Sequence, residues 1–213
     1  VSGTPILTTG LANVAAKTGT GGIFLQNGTS GNVNVTAITN ADLGALTVTG
    51  ITTTTANNSG AISLVNNAGG IAVAAPISTA NVTVTGTGGN ETASTGAITL
   101  SSSAAITGAS TLTTGTATIT SAATGGTDTA TSGAIVLSGT SVGLSNATAA
   151  LTTGDAIVQG TNAAATANAG PITMGTTGAT MAVINNGTAA TKMNVRQGTA
   201  TAAGGLPGPS LLI

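Results

Sequence analysis

Apolar residues come in pairs, two positions apart, and the pairs return along the chain at a near-constant interval. Ile23/Leu25, Ile62/Leu64, Ile98/Leu100, Ile135/Leu137 and Ile172/Met174 each flank one variable residue: Phe24, Ser63, Thr99, Val136 and Thr173. Alternation with period two predicts a strand with one inward and one outward face. Gly60, Gly96, Gly133 and Gly170 precede the last four pairs at spacings of 36, 37 and 37 residues. The first pair stands 39 residues before the second. Five copies at one period predict a repeat architecture, and that decides the fold class before any local propensity does.

Two further strands fit within each period. The second is weak, as in "GNVNVTA" at 31–37 and "GGIAVAA" at 69–75. The third carries Leu46/Val48, Val82/Val84, Ala117/Ile119, Ala156/Val158 and Met193/Val195. A turn, "LTTG", stands at 112–115 and 151–154 just before it, and again at 7–10. The N-terminal "LTTGLANVAAKTGT" therefore reads as the tail of an incomplete earlier repeat. The segments "TGTGGNETAST" at 85–95 and "ATGGTDTATS" at 123–132 read as variable loops.

Short strands separated by Gly, Asn and Thr suit a coil that climbs a solenoid, each strand pairing with its copy one turn on. The expectation is an all-β β-solenoid (β-helix) over residues 1–200, with about five 37-residue repeats plus a partial N-terminal one. No half-period copy of the "GAIxL" strand occurs, which favours one coil per repeat over two. Residues 201–213 form a C-terminal apolar extension. The alternative is a β-sandwich of a dozen short strands, which needs no fixed period and usually anchors its core with aromatics.

Composition sharpens this picture. Only 3% of residues are charged, Phe24 is the one aromatic, and Cys, His, Trp and Tyr are absent. A narrow coil interior has no room for large rings, so their absence fits the solenoid. Disorder requires low hydrophobicity with high net charge; here 40% of residues are apolar and the net charge is −1, so the chain collapses. The most apolar run, "GGIAVAAPI" at 69–77, is about half the roughly 18 residues of a spanning helix. No basic, signal-like segment opens the sequence, so any targeting peptide has been removed or lies upstream. Without Cys, disulfides and thiolate metal sites are excluded. Three Lys and Arg leave no footprint for nucleic acid or acidic lipid.

Recurrent "GAIxL…VTVTG" strands in an Ala/Gly/Thr/Asn-rich, aromatic-poor chain resemble the filamentous haemagglutinin and autotransporter-type surface proteins of bacteria. The resemblance covers nearly all of residues 5–200 and rests on composition and period. It implies a right-handed β-solenoid, export to the cell surface or beyond, and a role in adhesion or matrix, with no catalytic residues and no cofactor to transfer.

Candidate chemistry is sparse. A nucleophilic triad lacks its base, since no His exists. The titratable side chains are Asp42, Glu91, Asp128, Asp155, Lys17, Lys192 and Arg196. Glu91 and Asp128 each stand five residues before a repeat Gly, so stacked coils place them in equivalent loops. Such a pair could share a proton, hold Ca²⁺, or flank a glycosidic bond at the roughly 5 Å of a retaining hydrolase. The plain reading is two acidic residues pointing into water, and no aromatic platform for a sugar accompanies them. The strings "TGTGG" and "ATGGT" lack phosphate-loop spacing and read as turns.

Outward Thr pairs, Thr47/Thr49, Thr83/Thr85 and Thr118/Thr120, resemble the ice-binding faces of some antifreeze proteins. The next copies break the rank with Ile157/Gln159 and Asn194/Arg196. Sequons for N-glycosylation stand at Asn27, Asn34, Asn57, Asn81, Asn90, Asn146 and Asn186. Ile6 and Leu7 at one end, and Leu211, Leu212 and Ile213 at the other, are the candidate contacts for head-to-tail self-association. The expected role is a structural extracellular protein, a filament or sheath subunit or an adhesin segment, with itself and a host or matrix surface as partners. A carbohydrate- or ice-binding solenoid and, more remotely, a polysaccharide-degrading β-helix stand as alternatives.

Overall fold

The computed structural model describes residues 6–19, 21–28, 31–54, 59–88, 90–122, 125–144, 151–160, 164–175, 182–183, 195–196 and 199–202. The chain is a β-solenoid built from five parallel sheets, and strands are numbered in chain order. Sheet A stacks β1 (Ile6–Thr8), β4 (Ile23–Asn27), β9 (Ile62–Asn66), β14 (Ile98–Ser102), β19 (Ile135–Ser138) and β24 (Ile172–Gly175). Sheet B stacks β2 (Asn13–Val14), β5 (Val33–Val35), β10 (Ile71–Val73), β15 (Ala105–Gly108), β20 (Ser141–Leu144) and β25 (Ala182–Val183). Sheet C stacks β3 (Ala16–Thr18), β8 (Ile51–Thr53), β11 (Ile77–Ser78), β16 (Leu112–Thr113), β21 (Leu151–Thr152) and β26 (Val195–Arg196).

The predicted register holds. Ile62, Ile98, Ile135 and Ile172 pair in sequence across sheet A, and all four are buried. Leu25, Leu64, Leu100, Leu137 and Met174 form the next row, 39, 36, 37 and 37 residues apart. One coil therefore takes one repeat, and parallel pairing in all five stacked sheets excludes the sandwich. Inward residues of sheets A, B and C share one core.

The sequence reading misses a second column. After sheet C the chain leaves this core and forms sheet D, from β12 (Val82–Gly86), β17 (Ala117–Ser121), β22 (Ala156–Gly160) and β27 (Ala200–Ala202). It returns through sheet E, from β13 (Thr92–Ser94), β18 (Thr127–Thr131) and β23 (Ala164–Asn168). The two "variable loops" at 85–95 and 123–132 thus contain paired strands, and the coils β9–β13, β14–β18 and β19–β23 each have five strands rather than three. Val82, Ala93, Ala117, Ile119, Ala130, Ala156, Val158, Ala165 and Ala167 fill the space between sheets D and E. The first two described coils supply no strand to sheets D and E; the first returns to sheet A in 19 residues, Ile6 pairing with Leu25.

Three sequence assignments change. Leu46/Val48 belong to an antiparallel hairpin of β6 (Ala37–Asn40) and β7 (Leu46–Thr49), inserted between sheets B and C. Val195 pairs with Leu151 in sheet C, and Ala200/Ala202 hold the sheet D place expected of Met193/Val195; Met193 lies outside the described residues. The N-terminal "LTTG" supplies β1 of sheet A and opens a coil, whereas Leu112–Thr113 and Leu151–Thr152 are strands of sheet C. β27 carries sheet D to Ala202, and 203–213 lie outside the described residues.

Thr and Gly of the two recurring motifs meet where the chain passes between columns. Thr79 Oγ1 donates to Gly96 O (2.9 Å) and accepts from the N–H of Gly115 (3.1 Å). Thr95 Oγ1 donates to Gly115 O (2.9 Å) and accepts from Gly133 N–H (2.8 Å). Thr114 Oγ1 donates to Gly133 O (2.8 Å) and accepts from Gly154 N–H (3.1 Å). Each hydroxyl ties the outgoing strand to the returning one and one rung to the next, and all three are buried. The glycines are required by closeness. A methyl group on Gly96, Gly133 or Gly170 would collide with the carbonyl oxygen of the glycine one rung below.

Candidate functional site

Outward positions of stacked rungs form ranks about 4.8 Å apart. On sheet C the rank runs Lys17, Thr52, Ser78, Thr113 and Thr152, with Arg196 at the next register position. On sheet D it runs Thr83, Thr118 and Ile157, with Thr201 in register beyond. Arg196, placed in sheet C, does not enter that rank, and Thr47/Thr49 stand apart on the hairpin. Asn194 lies outside the described residues. Sheet E carries a pair of polar ranks where the sequence pattern reads as loop: Thr92/Thr129/Thr166 and Ser94/Thr131/Asn168. The signal was present as Thr-Ala-Ser, Thr-Ala-Thr and Thr-Ala-Asn at matching offsets from the repeat glycine.

Glu91 and Asp128 do occupy matching places, since Thr92 pairs with Thr129 one residue later. Their side chains diverge. Asp128 is fully buried, in register with Ala165, and its Oδ1 accepts the Glu91 backbone N–H at 3.0 Å. The Glu91 carboxylate lies over Gly86, where a methyl group would collide with it. The pair is not a matched set of exposed carboxylates: Asp128 serves the backbone of the rung below. Asp155 does the same for the rung above, its Oδ1 accepting from Thr199 N–H (2.7 Å) and Thr199 Oγ1 (3.0 Å). Asp42 is exposed at the hairpin tip in the 3₁₀ turn Ala41–Leu43. Among the described residues no three His, Cys, Asp or Glu converge to hold a metal ion.

At the N-terminal end, Ile6 is 64% and Leu7 73% exposed on β1, which pairs with β4 on its other side. Leu211, Leu212 and Ile213 lie outside the described residues. The Asn27 sequon is blocked in the folded chain: Asn27 is buried and its amide donates to Asn66 Oδ1 at 3.0 Å. Asn81 and Asn90 are exposed, but each lends its Oδ1 to the next rung, at Thr116 N–H and Thr127 N–H. Asn34 is half-buried beside Asn13, and Asn57, Asn146 and Asn186 are not among the described residues. No described helix is long and apolar enough to cross a membrane. Compared with known proteins, the chain matches no family model, no curated protein and no solved structure.

Proposed function

We propose that the chain is a structural extracellular β-solenoid, a filament or sheath subunit or an adhesin segment, as the bacterial surface proteins it resembles would imply. The observation that carries this reading is the stack itself. Every rung is hydrogen-bonded by copies of the same strand, so the axis is a natural direction of growth. The outer faces offer Thr, Ser and Asn with almost no charge, and net charge near zero favours association. The exposed β1 edge with Ile6 and Leu7 is a template for another strand. In this reading Leu211, Leu212 and Ile213 of a neighbouring copy cover Ile6 and Leu7.

Electron microscopy and light scattering over a concentration series test it. Assembly that grows with concentration and gives fibres supports the filament form; a stable monomer throughout removes it. Deleting residues 206–213 abolishes assembly while circular dichroism keeps its strand signal. Fibres from the truncated chain would shift the joining to the coil edges.

A second reading, a solenoid that presents a flat face to carbohydrate or ice, is favoured by the unbroken rank of Thr92, Thr129 and Thr166 on sheet E. Thermal hysteresis or glycan-array binding separates it from the first. The polysaccharide-degrading alternative loses support from the burial of Asp128, and Glu91→Gln with unchanged activity would remove its basis.

A further inference from the structure

The hairpin of β6 and β7 is not needed to close a coil. The first coil passes from sheet B to sheet C through Ala15 alone, and the third passes from Val73 to Ile77. The second coil instead projects residues 37–49 outward. Ile38 and Leu46 stay 41% and 56% exposed, and the turn holds both Gly44 and Ala45 at positive φ, +68° and +61°. A residue with a Cβ is disfavoured there. Core packing explains none of this.

A groove lies at the foot of this hairpin, between β7 and the outer face of β3 and β8. Its volume is about 720 Å³, within the range of small-molecule sites (about 300–1,000 Å³). Lys17, Leu46, Thr47, Val48, Thr49 and Thr52 line it. Lys17 and Thr52 are neighbours in register. No carboxylate forms an ion pair with Lys17 among the described residues; Glu91, Asp128 and Asp155 belong to the second column, and Asp42 sits at the far tip of the hairpin.

We propose that this groove binds an acidic oligosaccharide. Threonine hydroxyls, each both donor and acceptor, suit sugar hydroxyls. Leu46 and Val48, on the face of β7 opposite Thr47 and Thr49, border the groove with apolar surface. Lys17 supplies the one full charge, a compact donor for a uronate carboxylate or a sulfate. A neutral sugar would leave that charge unused, and a nucleotide would find no aromatic surface, because Phe24 lies on sheet A. The proposal does not depend on whether the chain assembles.

The test titrates an oligogalacturonate tetrasaccharide, a heparin-derived tetrasaccharide and neutral maltotetraose into the full chain at low salt, followed by calorimetry and amide NMR. At least one acidic probe binds, shifting resonances of Lys17, Thr47, Thr49 and Thr52, and maltotetraose binds about tenfold or more weakly. Lys17→Gln weakens the acidic probe by about tenfold, the loss of one charge-assisted contact, and Lys17→Arg restores most of it. Thr52→Val weakens it severalfold with circular dichroism unchanged. Binding that is unaltered in Lys17→Gln, equal binding of the neutral probe, or no groove shifts with either acidic probe at millimolar concentration overturns the proposal. Fibres from a chain with no groove binding would overturn it while leaving the structural reading intact. A monomer that binds would do the reverse.

Discussion

Two columns rise through the same rungs of one chain, and they are filled differently. The column enclosed by sheets A, B and C holds Ile, Leu and Val, most of them fully buried. The one between sheets D and E holds mainly Ala, with Val82, Ile119 and Val158. Three sheets around a core leave room for Ile, Leu or Val in each rung, whereas the space between sheets D and E takes mainly Ala. Burying an Ile or Leu stabilises by roughly 1.5–3 kcal/mol, against about 0.8 kcal/mol for a single methyl-sized group. The larger column therefore supplies most of the hydrophobic drive. The smaller one depends on its ladders, on side-chain acceptors such as Asp128 and Asn90, and on the Thr–Gly contacts that tie it to its neighbour.

The comparison predicts an order of damage. Ile135→Asp places an uncompensated charge in the larger column, costs several kcal/mol, and leaves no cooperative transition by circular dichroism. Leu137→Ala in the same column costs about 2–5 kcal/mol in denaturant unfolding. Thr114→Val, between the columns, strands the buried Gly154 N–H and Gly133 O and costs about 2–3 kcal/mol. Ala130→Gly, in the smaller column, costs only about 1 kcal/mol. Thr129→Val, on the outward face beside it, changes stability by no more than about 0.5 kcal/mol. Finding Ala130→Gly more damaging than Leu137→Ala would invert the assignment of the two columns.

The same contrast explains what the sequence could disclose. Ile and Leu two apart at a fixed period announce sheet A, and Val82/Val84 with Ala117/Ile119 announce part of sheet D. Sheet E is silent because its inward residues, Ala93, Ala130 and Ala167, are scarcely more apolar than the Gly and Thr around them. Thr79, Thr95 and Thr114 look like turn residues until their partners, 17 to 40 positions away, are known. Leu46/Val48 mislead because a hairpin alternates with the same period as a stacked strand. The offset of Glu91 and Asp128 from their glycines gave their alignment correctly. It could not give burial, because the surrounding segment reads as loop.

Since the chain contains no cysteine, paired substitutions can read the register of both columns directly. Thr99→Cys with Val136→Cys probes sheet A, and Thr118→Cys with Ile157→Cys probes sheet D, each pair directly opposed across one rung. Shifting the partner by two residues, to Ser138 or Gln159, keeps the face but moves the Cα atoms to about 8 Å, beyond disulfide reach. Under mild oxidation both opposed pairs close within the monomer and both shifted pairs stay reduced. Closure of a shifted pair in preference to its opposed one, in either sheet, would contradict the stacking of two columns in a single register.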